Sequence, residues 1–374
     1  TTLGNLVSGE TLNLSGTGTL ASAAVGSNKS VSIGTLALSD GSGESDNYTL
    51  SGGTLELGVT TRNITISGSK SYDGTNVANS GSFSTFSGLI GSETLSVSGS
   101  GTVLSALVES NKVVALGDLA LADGSGAATN YNLNGATLTI SKRPINVTLT
   151  RVYDGTTNIS GSDDPSIENL IGNETLTLSG SGSIGSSGAA NGKSVTLGSL
   201  ALSSGTGSES NYTLTGGTHQ ANINKRPVNL SGTRIYDGTT NASSSDLGSF
   251  GNLISGETLT LSGTGVLGSK DVETNKSVNV GSLTLGSNSG NASNYTLSGG
   301  TLQLSITPKS ITASGTRAYN GTTSAQGADF SRFTGLISGD SVQMSGTGSF
   351  SSASVGSKGV TIGSLRSNNS NYYI

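Results

Sequence analysis

A tetrapeptide recurs along this chain at an almost constant interval. Tyr-Asp-Gly-Thr begins at Tyr72, Tyr153 and Tyr236, and Tyr-Asn-Gly-Thr at Tyr319, with spacings of 81, 83 and 83 residues. Two further anchors keep the same period. An Asn-Tyr pair places Tyr48, Tyr131, Tyr212, Tyr295 and Tyr372, and an acidic residue opens an alternating run at Glu10, Glu93, Glu174, Glu257 and Asp340. Three anchors in one register define a tandem array with a unit of about 82 residues, and such self-similarity decides the architecture before any strand is assigned. Nine of the ten tyrosines fall on two of these anchors. In a chain so poor in large side chains, a fixed Tyr in each copy marks the residue around which the copy packs. That separates the array from disordered low-complexity sequence.

Unit boundaries follow from Lys142-Arg143-Pro144, Lys225-Arg226-Pro227, Thr307-Pro308-Lys309 and the weaker Thr61-Arg62. They give a partial repeat without its Tyr-Asp-Gly half at 1–61, repeats at 62–142, 143–225 and 226–308, and a partial repeat without its last strand at 309–374. A chain that starts and stops inside a unit reads as a piece of something longer. Within a unit the apolar period is two: Leu12 and Leu14, Leu95 and Val97, Leu176 and Leu178, Leu259 and Leu261, Val342 and Met344 alternate with Thr and Ser. Such alternation predicts half-buried strands, and the Gly-Ser-Gly and Asp-Gly clusters between them predict turns. Six or seven short strands per unit suit a small β-sandwich, so the expected fold is all-β, a rod of tandem modules. The alternative is a continuous β-solenoid of four coils of about 20 residues per unit. Thr137 to Thr148 carries one last strand almost directly into the next first strand, with Pro144 restricting the joint. This predicts a stiff string in which each module adds on the order of 30–40 Å.

Composition narrows the chemistry. With 58 Gly, still more Ser, no Cys or Trp, one Met and one His, the chain lacks most nucleophiles, acid-base groups and soft metal ligands. A helical enzyme, a coiled coil and a membrane bundle are excluded at 11% charged and 32% hydrophobic residues. A net charge of −5 gives no basic face for nucleic acid, and no apolar run approaches the ~18 residues of a membrane span.

Strand parity puts two charges on the inward side. Glu10 shares the parity of Leu12, and Lys29 that of Val31; the equivalents are Glu93 with Lys112, Glu174 with Lys193, Glu257 with Lys276 and Asp340 with Lys358. Three readings stand: the two charges pair at one end of the core, both snorkel at a solvated edge, or Lys and a nearby Asn form an isopeptide cross-link. In the Tyr-Asp-Gly motif, Asp73, Asp154 and Asp237 with Gly74, Gly155 and Gly238 suit a turn after a strand, and Asn320-Gly321 replaces them in the last copy. The Asp side chains can pair with Lys70, Arg151 and Arg234 two positions before the Tyr, whereas Asn320 cannot do so with Arg317. Asp40, Glu44 and Asp46 offer three carboxylates in a Gly-rich loop, a weak calcium candidate that the sister loops do not repeat. No cofactor is expected. Gly188 to Ser194 is one residue too short for a phosphate loop, His219 has no counterpart in the other copies, and the many Asn-x-Ser/Thr sequons follow from composition.

Tyr-Asp-Gly-Thr-Thr, the Asn-Tyr-Thr-Leu-Ser-Gly-Gly-Thr run at 294–301 and the Lys-Arg-Pro junctions together resemble the YDG/MBG-type repeats of large bacterial surface adhesins. These are the filamentous-haemagglutinin-like exoproteins of two-partner secretion and the biofilm-matrix adhesins. The resemblance covers the whole chain, with Asn320 and the Pro-less Thr61-Arg62-Asn63 as departures. It implies an Ig-like β module, a Gram-negative extracellular or cell-surface setting, and a stalk or spacer role with no catalytic residues. Neighbouring repeats are then the expected partners. The rival readings are a polysaccharide-binding module and a filament that self-assembles by strand exchange. Absence of Cys fits export of an unfolded chain.

Overall fold

The computed structural model describes residues 1–374. Its regular elements are β-strands and single turns of 3-10 helix such as Ala128–Asn130. No helix is long and apolar enough to cross a membrane. The sequence builds strands because its aliphatic residues alternate with Thr and Ser, which sit well on a pleated, half-buried surface.

The second repeat illustrates the plan. One sheet runs in the order Val77–Asn79, Ser100–Val103, Glu109–Ala115, Tyr131–Ser141, Arg62–Ser71, Phe83–Ser87, and a separate hairpin pairs Leu95–Ser98 with Ala120–Asp123. The fourth repeat has the same order, with Asn229–Ile235 as first strand and Leu302–Thr307 as last. Sheets return to the first strand inside each of the three complete repeats, so the array consists of tandem β modules and not one continuous solenoid.

The first and last strands of a repeat lie side by side and run parallel, from Tyr131 opposite Arg62 to Ser141 opposite Ser71. The other pairings of this repeat are antiparallel. A parallel pair of terminal strands makes the chain enter at one end of the module and leave at the other, about 3.3 Å per residue further on. Alternate residues of this pair form the core: Ile64, Ile66, Leu138 and Ile140 are each at most 2% exposed. Each such side chain contributes roughly 1.5–3 kcal/mol of transfer free energy. Gly68 allows the first strand to cross a turn, since a Cβ there would lie 1.8 Å from the Ser82 carbonyl oxygen.

Two compact units divide the chain: residues 1–145, 168–177 and 202–217 form one, and 146–167, 178–201 and 218–374 the other. The division passes through the third repeat. Its segments bearing Glu174 and Tyr212 pack with the second repeat, and its segment bearing Tyr153 packs with the fourth. In the first repeat no apolar residue before Ile64 is buried, and Leu57 on the last strand is 52% exposed, because no first strand covers that edge.

Candidate functional site

The tyrosines and carboxylates of the array meet, and they do so across repeat junctions. Glu174 accepts a hydrogen bond from its own repeat's Tyr212 hydroxyl at 2.5 Å and another from Tyr72 of the preceding repeat at 2.7 Å. Glu257 accepts in the same way from Tyr295 and Tyr153, both at 2.6 Å. Asp340 accepts from Tyr372 at 2.7 Å and Tyr236 at 2.8 Å, and also from the Lys270 ammonium at 3.1 Å. The rings of each pair stand edge to face at 5.4–5.5 Å between centroids, an arrangement the aromatic quadrupole favours. The hydroxyl of the second tyrosine is also an acceptor, receiving the backbone N–H of Ile171, Ile254 or Ile337. Tyr72, Tyr153 and Tyr236 are 5%, 4% and 1% exposed.

Two further contacts recur at every junction, and an Arg adds a third at the first two. The Asn before the second tyrosine accepts a backbone N–H from the preceding repeat: Val108 to Asn211 at 3.2 Å, Ala189 to Asn294 at 2.8 Å, Val272 to Asn371 at 2.8 Å. Gly74, Gly155 and Gly238 hold φ of 75–80°, and Gly74 and Gly238 press so closely on the next repeat's Ile171 and Ile337 that a Cβ would sit at 2.8 and 2.6 Å. Arg143, from the Lys-Arg-Pro joint, donates to the carbonyls of Asn169 at 2.7 Å and Tyr72 at 3.5 Å, and Arg226 does the same to Asn252 and Tyr153 at 2.6 and 3.3 Å.

The electrostatics favour the neutral phenol. Burial first, and then the shared carboxylate, push the phenols of Tyr72, Tyr212 and Tyr295 up to about 12, and move Tyr153, Tyr236 and Tyr372 in the same direction. Hydrogen bonds from Tyr372 and Tyr236, outweighing burial, hold Asp340 below the usual carboxylate value.

The expected pairing of the acidic anchors with the lysines does not form. Glu10, Glu93, Glu174, Glu257 and Asp340 turn to phenols. Lys29 instead caps the Ser22 carbonyl at 2.8 Å, Lys112 the Leu107 carbonyl at 3.2 Å, Lys193 the Ser186 carbonyl at 3.0 Å and Lys276 the Asp271 carbonyl at 2.8 Å, while Lys358 reaches the Ser354 hydroxyl at 3.4 Å. Lys112 and Lys276 are indeed inward, at 8% and 7% exposed, and each also has an ion pair three residues away, with Glu109 and Glu273. Backbone carbonyls and short local pairs satisfy these ammonium groups without bringing a second buried charge to them.

The Tyr-Asp-Gly turn takes the expected form. Asp73 accepts the Thr75 N–H at 2.9 Å, the Thr75 hydroxyl at 2.9 Å and the Lys70 ammonium at 2.8 Å. These bonds overcome burial and lower its pKa, and Asp154, with Arg151 and Thr156, follows suit. Arg234 pairs with Asp237 at 3.0 Å. Asn320 keeps the Thr322 bonds at 3.0 and 3.1 Å, and Arg317 turns to Asp329 at 3.6 Å. Tyr48 and Tyr131 carry only one half of the junction, bonded to Glu10 and Glu93, and Tyr319 is 69% exposed.

Asp40, Glu44 and Asp46 are not gathered into a cage: no three potential ligands lie together, and Asp40 is occupied by the Ser45 N–H at 2.6 Å. His219 opens the strand His219–Asn224. In the fifth repeat, Ile311, Phe330, Met344, Phe350 and Leu365 line a cleft of about 810 Å³. The last strand occupies the corresponding place in the fourth repeat, where Leu302, Leu304 and Ile306 are at most 7% exposed, so the cleft is a strand bed.

What the sequence left out is the partner of each carboxylate. A constant period is the same whether two anchors meet inside one unit or across two, and the only hint was that each copy supplies two tyrosines for one acid. The chain belongs to the YDG domain family, whose pattern matches it five times, at residues 1–55, 59–140, 136–221, 219–303 and 301–374. A search of curated proteins finds no match.

Proposed function

We propose that this chain is a structural spacer: a run of YDG modules in an extracellular bacterial surface adhesin, carrying a binding region away from the cell or building a matrix fibre. The observation that carries the reading is the junction itself. Tyrosine, carboxylate and tyrosine join one repeat to the next three times with the same partners. A polar network that fixes neighbours to each other is what a load-transmitting array requires, and it occupies six of the ten tyrosines. Parallel terminal strands add to this, since each complete module passes the chain from one end to the other. The spacer role requires a particle much longer than a compact globule of 374 residues. Small-angle X-ray scattering tests it: a maximum dimension several times the cross-section is expected, and a compact particle overturns the reading.

A further inference from the structure

A module under tension is pulled at the two places where the chain enters and leaves it. In the second repeat these are the start of the first strand at Arg62 and the end of the last strand at Ser141. The two strands are paired neighbours running parallel, so the entry of one and the exit of the other lie at opposite ends of the same pair. Tension therefore slides one strand along the other. The evenly spaced bonds of a parallel ladder are then loaded across their length and all together, whereas pulling two paired strands apart at one end parts the bonds one after another. Sliding also drags Ile66, Leu138 and Ile140 through a core in which each is at most 2% exposed. Only Lys142 lies between Ser141 and the strand Arg143–Pro144, which leaves no slack to absorb the load.

The pair is not equally continuous in every repeat. In the second it runs from Arg62 opposite Tyr131 to Ser71 opposite Ser141, with a single register shift between Leu133 and Gly135. In the fourth, Arg226–Pro227 pair with Tyr295–Thr296, a turn over 297–300 leaves the ladder, closed by the Gly300 N–H on the Leu297 carbonyl at 3.3 Å, and pairing resumes from Leu230 opposite Leu302 to Ile235 opposite Thr307. The third has the interrupted form as well, with Arg143–Pro144 opposite Tyr212–Thr213 and Val147–Val152 opposite His219–Asn224. Sequence accounts for the difference: ten residues from Tyr131 to Ile140 cover what takes twelve from Tyr295 to Ile306, so the second repeat has no chain to spare for the turn.

We propose that the pair of first and last strands is a tension clamp, that each complete repeat resists extension by shear of this pair, and that the continuous pair makes the second repeat stronger than the fourth. This rests on the spacer reading, which makes tension the working load. An array graded in this way lengthens in steps as its interrupted repeats yield, while the second repeat stays folded.

Single-molecule force spectroscopy is the test. The chain has no Cys, so two engineered cysteines carrying DNA handles set the direction of pull within the full chain. Thr61→Cys with Lys142→Cys loads the second repeat in shear, and Ser71→Cys with Ser141→Cys, two residues opposite each other at one end of the same pair, unzips it. Lys225→Cys with Thr307→Cys loads the fourth repeat in shear. All six positions are exposed, so the fold is retained. Rupture forces are compared at one loading rate, because forced unfolding follows the unfolding rate. The expected force for the Thr61 and Lys142 handles is several-fold above that for Ser71 and Ser141, and also above that for Lys225 and Thr307. Equal forces in the two directions on the second repeat, or a fourth repeat as strong as the second, overturn the proposal. A compact particle in scattering overturns the spacer reading without changing these forces, so the two failures are distinguishable.

Discussion

Replacing Tyr153 by Phe removes one oxygen atom from a junction and leaves the packing in place. The ring stays 4% exposed and edge-on to Tyr295, and the lost interaction is the 2.6 Å hydrogen bond to Glu257. A bond to a charged acceptor contributes about 1.5–3 kcal/mol. Glu257 keeps its bond from Tyr295 and is partly accessible to water, which returns some of that, so a net cost of about 1–2 kcal/mol is expected. Local opening of the junction then becomes about 5–30-fold more frequent. Hydrogen exchange read by mass spectrometry sees this directly at the Ala189 N–H, which is held by Asn294 across the junction, and at the Ile254 N–H, held by the Tyr295 hydroxyl. Tyr319→Phe is the control, since Tyr319 is exposed and bonds to no carboxylate. Unchanged protection at both amides in Tyr153→Phe, or equal loss of protection in the control, refutes the claim that the phenol–carboxylate bond holds the repeats together.

Alkali should weaken the junctions. The phenols of Tyr72, Tyr212 and Tyr295 are raised to about 12 in the folded chain from 10.0, so the stability they contribute is complete below pH 10 and is lost as pH rises from there to about 12, as urea midpoints across that range will record. Acid acts through Asp340, which is lowered from 3.8: its contribution is present above that value and lost as pH falls through the folded pKa. Asp340→Asn should destabilise the last junction at neutral pH and flatten this acid limb of the urea midpoint. Gly238→Ala and Gly321→Ala both force a side chain onto φ above 70°, costing about 1–2 kcal/mol. Only the first also meets a neighbour, with a Cβ at 2.6 Å from Ile337, so it should lower the thermal midpoint more; equal losses would mean Ile337 yields freely.

The strands, the repeat and the turn at Asp73 were legible because each depends on residues close in sequence. Alternation at Leu95 and Val97 is a property of four consecutive residues, and the Asp73–Thr75 bonds span two. The destination of Glu174 was not legible, since its second donor, Tyr72, lies 102 residues away. Parity gave the right face for Lys112 and Glu93 but not the right partner. Two inward charges suggest an ion pair only while the neutral donors around them are out of view, and the phenol of Tyr131 and the Leu107 carbonyl are those groups.

The offset between sequence unit and packing unit bears on how such an array responds to load. If modules were separate beads, a failing repeat would leave its neighbours intact. Here the half of the third repeat that carries Glu174 and Tyr212 packs with the second repeat, and the half that carries Tyr153 packs with the fourth. Unfolding the third repeat therefore removes a carboxylate from one junction and a tyrosine from the other. In a nearest-neighbour description the interface terms then carry much of the stability and intrinsic repeat terms less. The first repeat fits this account: with no apolar residue buried before Ile64, its attachment to the second through the Val25 N–H and Asn130 at 2.9 Å is part of what orders it. An array of this kind should melt from its ends inward, and a substitution at a central junction should cost more than the same one in the first repeat.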